Sequence, residues 1–336
     1  MNPACPVPFS RHDRVQLAHG GGGALTRELI DGLFAPAFGL VGTPLHDAVE
    51  VAIPGDRVVV ATDVHVVDPL FFPGGDIGAL AVHGTVNDLA MGGSRARALA
   101  IGWILEEGLP LDTLARVVES VRRTAEACGV RVVAGDTKVV PRGAADGLYL
   151  SCTGLGERRV DPAPFPARIV PGDRIWLSGD LGRHAVAVLA CRSGLALETP
   201  LESDLADLAP TALAIADQCR AHCLRDVTRG GLAGVLAELS TDTGLGMEIE
   251  EERVPIGEAV RGACGLLGLD PFALACEGRF VAFVAPRFDS KTADLLGPGA
   301  APIGVVGGAP GARVRGAYGV LRPLEMPYGE LLPRIC

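Results

Sequence analysis

Phe, Trp and Tyr together make up only 4% of the 336 residues, so an aromatic base-stacking surface for single-stranded nucleic acid has little material. Positive charge is also scarce. Thirty Lys and Arg against 40 Asp and Glu leave a formal charge of −10, which argues against an unassisted nucleic-acid binder. No uncharged apolar run approaches the ~18 residues of a membrane-spanning helix. Residues 1–17 mix Pro, Arg, His and Asp and do not read as a signal peptide. The nine cysteines form no CxxC pair, so a zinc ribbon or a thioredoxin-like site is not supported. Their odd number and scatter fit a reducing compartment, the cytoplasm. Cys219 and Cys223, four apart, are expected on one helix face as small buried residues, with metal binding the alternative.

What is present points to a large core. Hydrophobic residues make up 48% of the chain, which excludes a disordered or coiled-coil protein. The length exceeds what one core usually holds, so two domains are expected. The 45 Gly and 25 Pro follow no G-X-Y period and mark turns and glycine loops.

Residues 1–14 are expected as a disordered extension. The segment 15–160 reads as a first unit. It holds strands at 58–62, 131–134 and 148–153, a helix over 77–91 ending at Gly92-Gly93, and a second helix after Pro110 with a stripe at Leu114, Val117, Val118, Val121 and Ala125. Pro162, Pro164, Pro166 and Pro171 mark a boundary. Residues 161–320 restart as strand, glycine turn and helix, with further strands near 247–250, 280–284 and 303–306. Alternating strands and helices imply α/β layers in both units. Residues 321–336, with Pro323, Pro327 and Pro333, form a tail that cannot be helical.

Candidate chemistry begins with acids. Asp63 and Asp136 follow strand-like runs, Asp226 sits in RDVTRGG, Asp88 in a helix, and Asp47 just before a strand. Carboxylates at strand ends face the crevice where α/β proteins bind ligands, and several hard oxygen ligands suit Mg²⁺ with phosphate. Helix caps and surface acids are the plainer alternative for each one singly. His19 precedes Gly20, Gly21, Gly22 and Gly23, then a helix, which offers backbone N–H groups to an anion, or forms a simple turn. Thr228 to Gly231 opens a second such cradle. Lys138, two residues after Asp136, offers a point charge for phosphate. Cys336 is the last residue. It is no prenylation box, and a thiol on a mobile arm suits a carrier loaded at one site and processed at another.

These segments together carry a resemblance. LAHGGGG, ATD (61–63), DPLFFPGGDIG (68–78), GTVNDLAMGG (84–93), ILEEGLP (104–110), GDTKVV (135–140), RDVTRGG (225–231) and the terminal PRIC resemble the HypE family, the carbamoyl dehydratases of nickel–iron hydrogenase assembly. The resemblance spans roughly residues 15–336. It implies the two-domain α/β fold of the aminoimidazole ribonucleotide synthetase superfamily, with a homodimer formed through the N-terminal sheet. It implies ATP bound between glycine loop and acids, with Asp136, Thr137, Lys138, Thr228 and Gly230 on the phosphate side. Asp47, Asp63, Asp88 and Asp226 match the metal ligands, for Mg²⁺. Glu277, in CEGRF, matches a residue that removes substrate protons. Arg279 stands there in place of the usual Lys, and no serine interrupts the glycines after His19.

The activity implied is ATP-dependent dehydration of an S-carbamoyl group on Cys336 to a thiocyanate. The partners implied are a carbamoyltransferase, HypF, and a HypC–HypD scaffold that receives cyanide for iron. Two rival readings remain. Selenophosphate synthetase shares the superfamily but carries Cys or Sec with Lys in the N-terminal glycine loop and lacks the terminal PRIC. A non-catalytic scaffold would bind nucleotide without turning it over.

Overall fold

The computed structural model describes residues 23–29, 31, 42, 49–53, 56–195, 200–326, 332 and 334–336. The expected extension 1–14 lies outside them, as do His19, Gly20, Gly21, Gly22 and Asp47.

After a short helix, α1 (Ala24–Leu29), five strands build the first sheet. They are β1 (Val49–Ile53), β2 (Asp56–His65), β5 (Ser94–Glu106), β6 (Arg131–Val140) and β7 (Leu148–Arg158), in the order β1-β2-β7-β5-β6. A two-strand ribbon, β3 (Phe71–Phe72) with β4 (Gly75–Asp76), leads into α2 (Ile77–Met91). Among the described residues only the pair β5–β6 is parallel in this sheet, and α3 (Leu111–Ala127) supplies the crossover that a parallel pair requires. The strand expected to end at Ala134 runs on through GDTK to Val140, paired with β5 throughout. Residues 94–106, unassigned from the sequence, form its 13-residue partner.

Helix α2 falls where the sequence places it. The Asp76 carboxylate accepts from the backbone N–H of Gly78 at 2.8 Å and of Ala79 at 3.0 Å, satisfying two donors of the first turn. Its other oxygen accepts from the Ser120 hydroxyl of α3 at 2.7 Å, locking the two helices together. Leu80, Ala81 and Leu89 of α2 are fully buried, and the burial runs nearly all round the helix. One side covers the first sheet, while Ala90 and Met91 enter the core of the second unit.

The first sheet ends at Arg158 and the second begins at Arg174, with the four prolines between them. Seven strands follow in the order β14-β13-β10-β12-β8-β11-β9: β8 (Arg174–Leu177), β9 (Cys223–Asp226), β10 (Gly246–Glu250), β11 (Phe280–Val284), β12 (Ala301–Val306), β13 (Gly311–Arg315) and β14 (Leu321–Pro323). Helices α4 (Arg183–Ser193), α5 (Ala209–Gln218), α6 (Gly231–Thr243), α7 (Glu258–Leu267) and α8 (Asp289–Leu296) surround it. Leu232, Leu236 and Leu239 of α6 pack in one core with Ile175, Val281 and Phe283. On the other face Ala212, Ile215 and Ala216 of α5 join Trp176, Phe280 and Ala282. Covered on both faces, β11 is buried along its whole length, which explains its unbroken apolar run FVAFV.

Cys219 follows the end of α5 and Cys223 opens β9, so the two thiols do not share a helix face. Both are fully buried in separate apolar cores, which corrects the helix expectation and fits the packing role.

Candidate active site

Four of the acids singled out in the sequence, Asp63, Asp88, Asp226 and Glu277, converge where the two units meet. Asp63 lies near the end of β2, Asp88 on α2, Asp226 closes β9, and Glu277 sits in the turn before β11. Their common neighbour is Arg229, in the turn that opens α6. Desolvation works against its charge, yet the negative groups at Cys336, Asp63, Asp88 and Glu277 outweigh this and raise its pKa. Arg229 stays exposed to solvent, so the ring of acids opens on a crevice rather than closing on an internal ion pair.

Glu277 is buried, and its Oε1 has no hydrogen-bond partner. Burial first, then the proximity of Asp63, Asp226 and Asp204, pushes its pKa well above the usual carboxylate range, with Arg229 pulling the other way. The Asp204 carboxylate accepts from the Glu277 backbone N–H at 3.2 Å. Gly278 is required beside it, because a Cβ there would collide with the Asp204 carbonyl. Arg279, the departure noted in CEGRF, turns away from the acids of the crevice. Its guanidinium donates to the Asp180 carbonyl at 3.0 Å and to the Asp180 carboxylate, and its Nε stands 3.8 Å from Asp204. It braces the turn that carries Glu277.

Asp63 accepts from the Val64 N–H at 2.9 Å and lies 3.3 Å from Nε2 of His65. His65 is buried with neither ring nitrogen hydrogen-bonded, and burial lowers its pKa. Gly84 of α2 faces this pair: a Cβ there would stand 2.9 Å from Asp63 Oδ2 and 3.1 Å from the His65 ring, so a side chain would crowd the carboxylate.

The tail is docked, not free. Residues 334–336 run antiparallel to residues 66–68, with a carboxylate oxygen of Cys336 accepting from Val66 N–H at 3.0 Å and the Arg334 carbonyl from Asp68 N–H at 3.2 Å. Ile335 is buried in a core shared by Val59 and Leu80 of the first unit and Val186 and Leu274 of the second. Arg334 donates to the Val66 carbonyl at 2.9 Å and pairs with Asp146. The sequence reads these residues as a mobile arm that passes between two sites. The structure shows the arm seated, its terminal residue beside Arg229.

Asp63, Asp88, Asp226, Glu277 and Cys336 are thus brought together. Lys138 is not. It lies on β6, in register with Ile104 of β5 and Tyr149 of β7, three strand spacings or about 14 Å across the sheet from β2. It falls on the face away from α2. On the same strand as Lys138, the backbone of Asp136 and Thr137 pairs with Gly102 and Trp103 of β5. Gly23 is buried at the start of α1, its carbonyl accepting from Arg27 N–H at 3.1 Å, and Arg27 reaches Asp242 of α6 at 3.2 Å. The Thr228 carbonyl accepts from Gly231 N–H at 3.0 Å, and Gly230 takes φ 78° to open α6. Sequence reasoning singled out the Thr and the Gly of TRGG and missed Arg229 between them. It also missed His184, Ser203 and Asp204, which sit in no motif.

Among the described residues no three His, Cys, Asp or Glu side chains form a ready-made metal cage. The carboxylates still fit Mg²⁺ as that ion is usually held, by one or two carboxylates with phosphate oxygens and water completing the shell. The crowding that raises the pKa of Glu277 is what a cation between Asp63 and Asp226 would relieve.

Two α/β units meeting at an acid-lined crevice define a class. The family model for the AIR synthase related protein N-terminal domain matches residues 45–158, and that for the C-terminal domain matches residues 170–317. Carbamoyl dehydratase HypE of Azotobacter vinelandii is 44% identical over 97% of this chain and 98% of its own. A crystal structure of hydrogenase maturation protein HypE in complex with ATP is 42% identical, with TM-score 0.81 over 96% of this chain and all of that one. HypE in a HypE–HypF complex is 37% identical, with TM-score 0.84 over 89% of this chain and 99% of that one. The chain belongs to the HypE family, the carbamoyl dehydratases of hydrogenase maturation.

Proposed function

We propose that Cys336 is the carrier on which this ATP-dependent carbamoyl dehydratase works. The observation that carries the reading is the seated tail, which sets the Cys336 thiol beside Arg229 and within the acids that include Glu277. A carboxamide does not lose water unaided, because oxide is a poor leaving group. The carboxamide oxygen of S-carbamoyl Cys336 attacks the γ-phosphorus of ATP, ADP leaves, and one N–H proton is lost. The second N–H proton then departs, the C–O bond breaks, and phosphate leaves a carbon–nitrogen triple bond. Glu277 takes a nitrogen proton, since burial and its acidic neighbours raise its proton affinity above that of an ordinary carboxylate. Arg229 holds the phosphoryl charge at the crevice. Asp63, Asp88 and Asp226 would hold Mg²⁺, with Asp47 assigned to the same set from the sequence, and the ion would supply charge stabilisation to the phosphoryl group. The Gly20–Gly23 loop, with Asp136, Thr137, Thr228 and Gly230, is assigned to the nucleotide.

A homodimer through the first sheet completes this reading. The face away from α2 leaves Val64 56% exposed and Ile104 and Leu155 also uncovered among the described residues. Lys138 stands on that face, so a partner copy brings it to a site that its own chain does not reach. Units 15–160 and 161–320 then divide the work of nucleotide binding and closure; of the tail expected over 321–336, Leu321–Pro323 pairs as β14 in the second sheet and the residues after it form the carrier arm. HypF as carbamoyl donor accords with the HypE–HypF complex, and a HypC–HypD scaffold is the assigned cyanide acceptor. No helix of the described residues is long and apolar enough to cross a membrane, and a carrier working through a reduced thiol suits the cytoplasm.

The test is mass analysis of the C-terminal peptide after incubation with carbamoyltransferase, carbamoyl phosphate and ATP. The carbamoyl mass should appear first and the cyano mass only with ATP. A cyano group found on another cysteine, or formed in Cys336→Ala, would sink the carrier assignment.

A further inference from the structure

The last three residues are held in large part by their backbone oxygens. Val66 and Asp68 of the first unit donate N–H groups to the Cys336 carboxylate and the Arg334 carbonyl. The remaining donors come from one helix of the second unit. His184, in the first turn of α4, has Nε2 at 2.9 Å from the Ile335 carbonyl, and Arg192, near its end, donates to the Arg334 carbonyl. Arg192 also donates to the Asp68 carbonyl at 2.7 Å, which ties the strand end to the same cation.

The hydrogen bonds around His184 fix its proton. A carbonyl only accepts, so Nε2 carries the hydrogen. Nδ1 is 2.8 Å from the Ser203 hydroxyl, whose oxygen already accepts from Leu205 N–H at 3.1 Å. The Ser203 O–H is therefore free to donate to Nδ1, and every group in the chain Leu205–Ser203–His184–Ile335 is satisfied with His184 neutral. Phe72 packs edge-on against the ring at 5.3 Å, and His184 is fully buried. Asp204, next in sequence to Ser203, holds the backbone of Glu277. One short segment thus fixes both the ring that reads the tail and the turn that carries the proposed base.

We propose that His184 and Arg192 are positioning residues, which hold the Cys336 arm in the crevice by reading the carbonyls of Ile335 and Arg334. This rests on Cys336 as the carrier. Because the donors come from α4 and from 66–68, the arm seats fully only when the two units stand as they do here. The recognition is of backbone, so it ignores the group carried on the thiol: carbamoylated and cyanated arms seat alike.

Two measurements on the full chain test this. Maleimide labelling of Cys336, followed by mass analysis of the C-terminal peptide, reads how often the arm is out. Single-turnover dehydration of the carbamoylated protein reads the seated arm at work. His184→Ala should label about tenfold faster, the scale of one buried hydrogen bond lost, and dehydrate more slowly. Its half-saturating Mg-ATP concentration should stay unchanged, since neither residue is assigned to the nucleotide. His184→Gln, whose amide can donate from a similar place, should recover most of both effects, which a loss of packing alone would not predict. Arg192→Ala, from a less buried position, should show the same direction if His184→Ala fails to fold. Labelling and dehydration at native rates in His184→Ala, or in Arg192→Ala where the former does not fold, would overturn the proposal. Labelling needs no carbamoyl group, so it judges the latch even if Cys336 proves not to be the carrier.

Discussion

Glu277 is the residue at which function opposes stability. It is buried with one oxygen unpartnered and with Asp63, Asp226 and Asp204 about it, so its folded pKa is raised. A raised carboxylate pKa means that the folded state is disfavoured where the unfolded chain is ionised. Its contribution is fully present below the unfolded value near 4.5 and is lost as pH rises toward the folded pKa. Glu277→Gln keeps the shape and removes the ionisation. In the absence of nucleotide its melting temperature should exceed the native one by a few degrees at pH 7.5, and the gap should shrink at pH 5. Dehydration should be abolished while carbamoylation of Cys336 persists. Equal melting temperatures at both pH values would show that Glu277 is not held at raised pKa, and native dehydration rates would remove it from the chemistry. His184 carries the opposite linkage: burial lowers its pKa, so its stability term weakens as pH falls below about 6.5.

At the scale of the element, α2 is what joins the fold to the site. It carries Asp88, leaves room at Gly84 for Asp63 and His65, and reaches both units through its buried sides. Its start depends on Asp76, which caps two N–H groups and takes the Ser120 hydroxyl. Asp76→Ala should cost about 1–2 kcal/mol for the cap, with the orphaned Ser120 at the upper end. The loss should appear in the denaturant midpoint without a change of slope, because the cap adds stability and not surface. A midpoint equal to the native one would mean that tertiary packing alone holds the first turn. The short run 66–68 has a comparable role after β2: two of its N–H groups serve the arm and no strand.

For the whole molecule, the separation of Lys138 from the crevice makes a prediction about assembly. Lys138→Ala and Cys336→Ala should each block thiocyanate formation alone. Mixed dimers pair the intact Lys138 of one copy with the intact Cys336 of the other. They should regain about half of the native sites, read as cyanated C-terminal peptide from the Lys138→Ala chain. If mixing restores nothing while light scattering shows mixed dimers, Lys138 acts within its own chain or not at all. Val64→Asp should weaken the proposed dimer, since a charge on that exposed apolar face would be buried at the proposed interface.

Much of this protein was legible without coordinates. Helix 77–91 announces itself by the spacing of its apolar residues and by the two glycines at its end, both local signals. The run FVAFV reads as a strand because a segment buried on both faces has no polar side to show. The acids and the terminal cysteine stood out by residue type, and the resemblance assigned them roles. Local signals ended at the turns of RDVTRGG and at the arm. Arg229 takes its meaning from groups 63, 88, 277 and 336, far from it along the chain, and a charge's environment is a sum over neighbours in space. His184 and Arg192 reach the docked arm through backbone oxygens, which every residue has, so no side-chain pattern could announce these contacts. His184 and Ser203 became readable only when packing set a buried ring between a hydroxyl and a carbonyl, because only burial makes an unsatisfied hydrogen bond costly enough to fix which atom holds the proton.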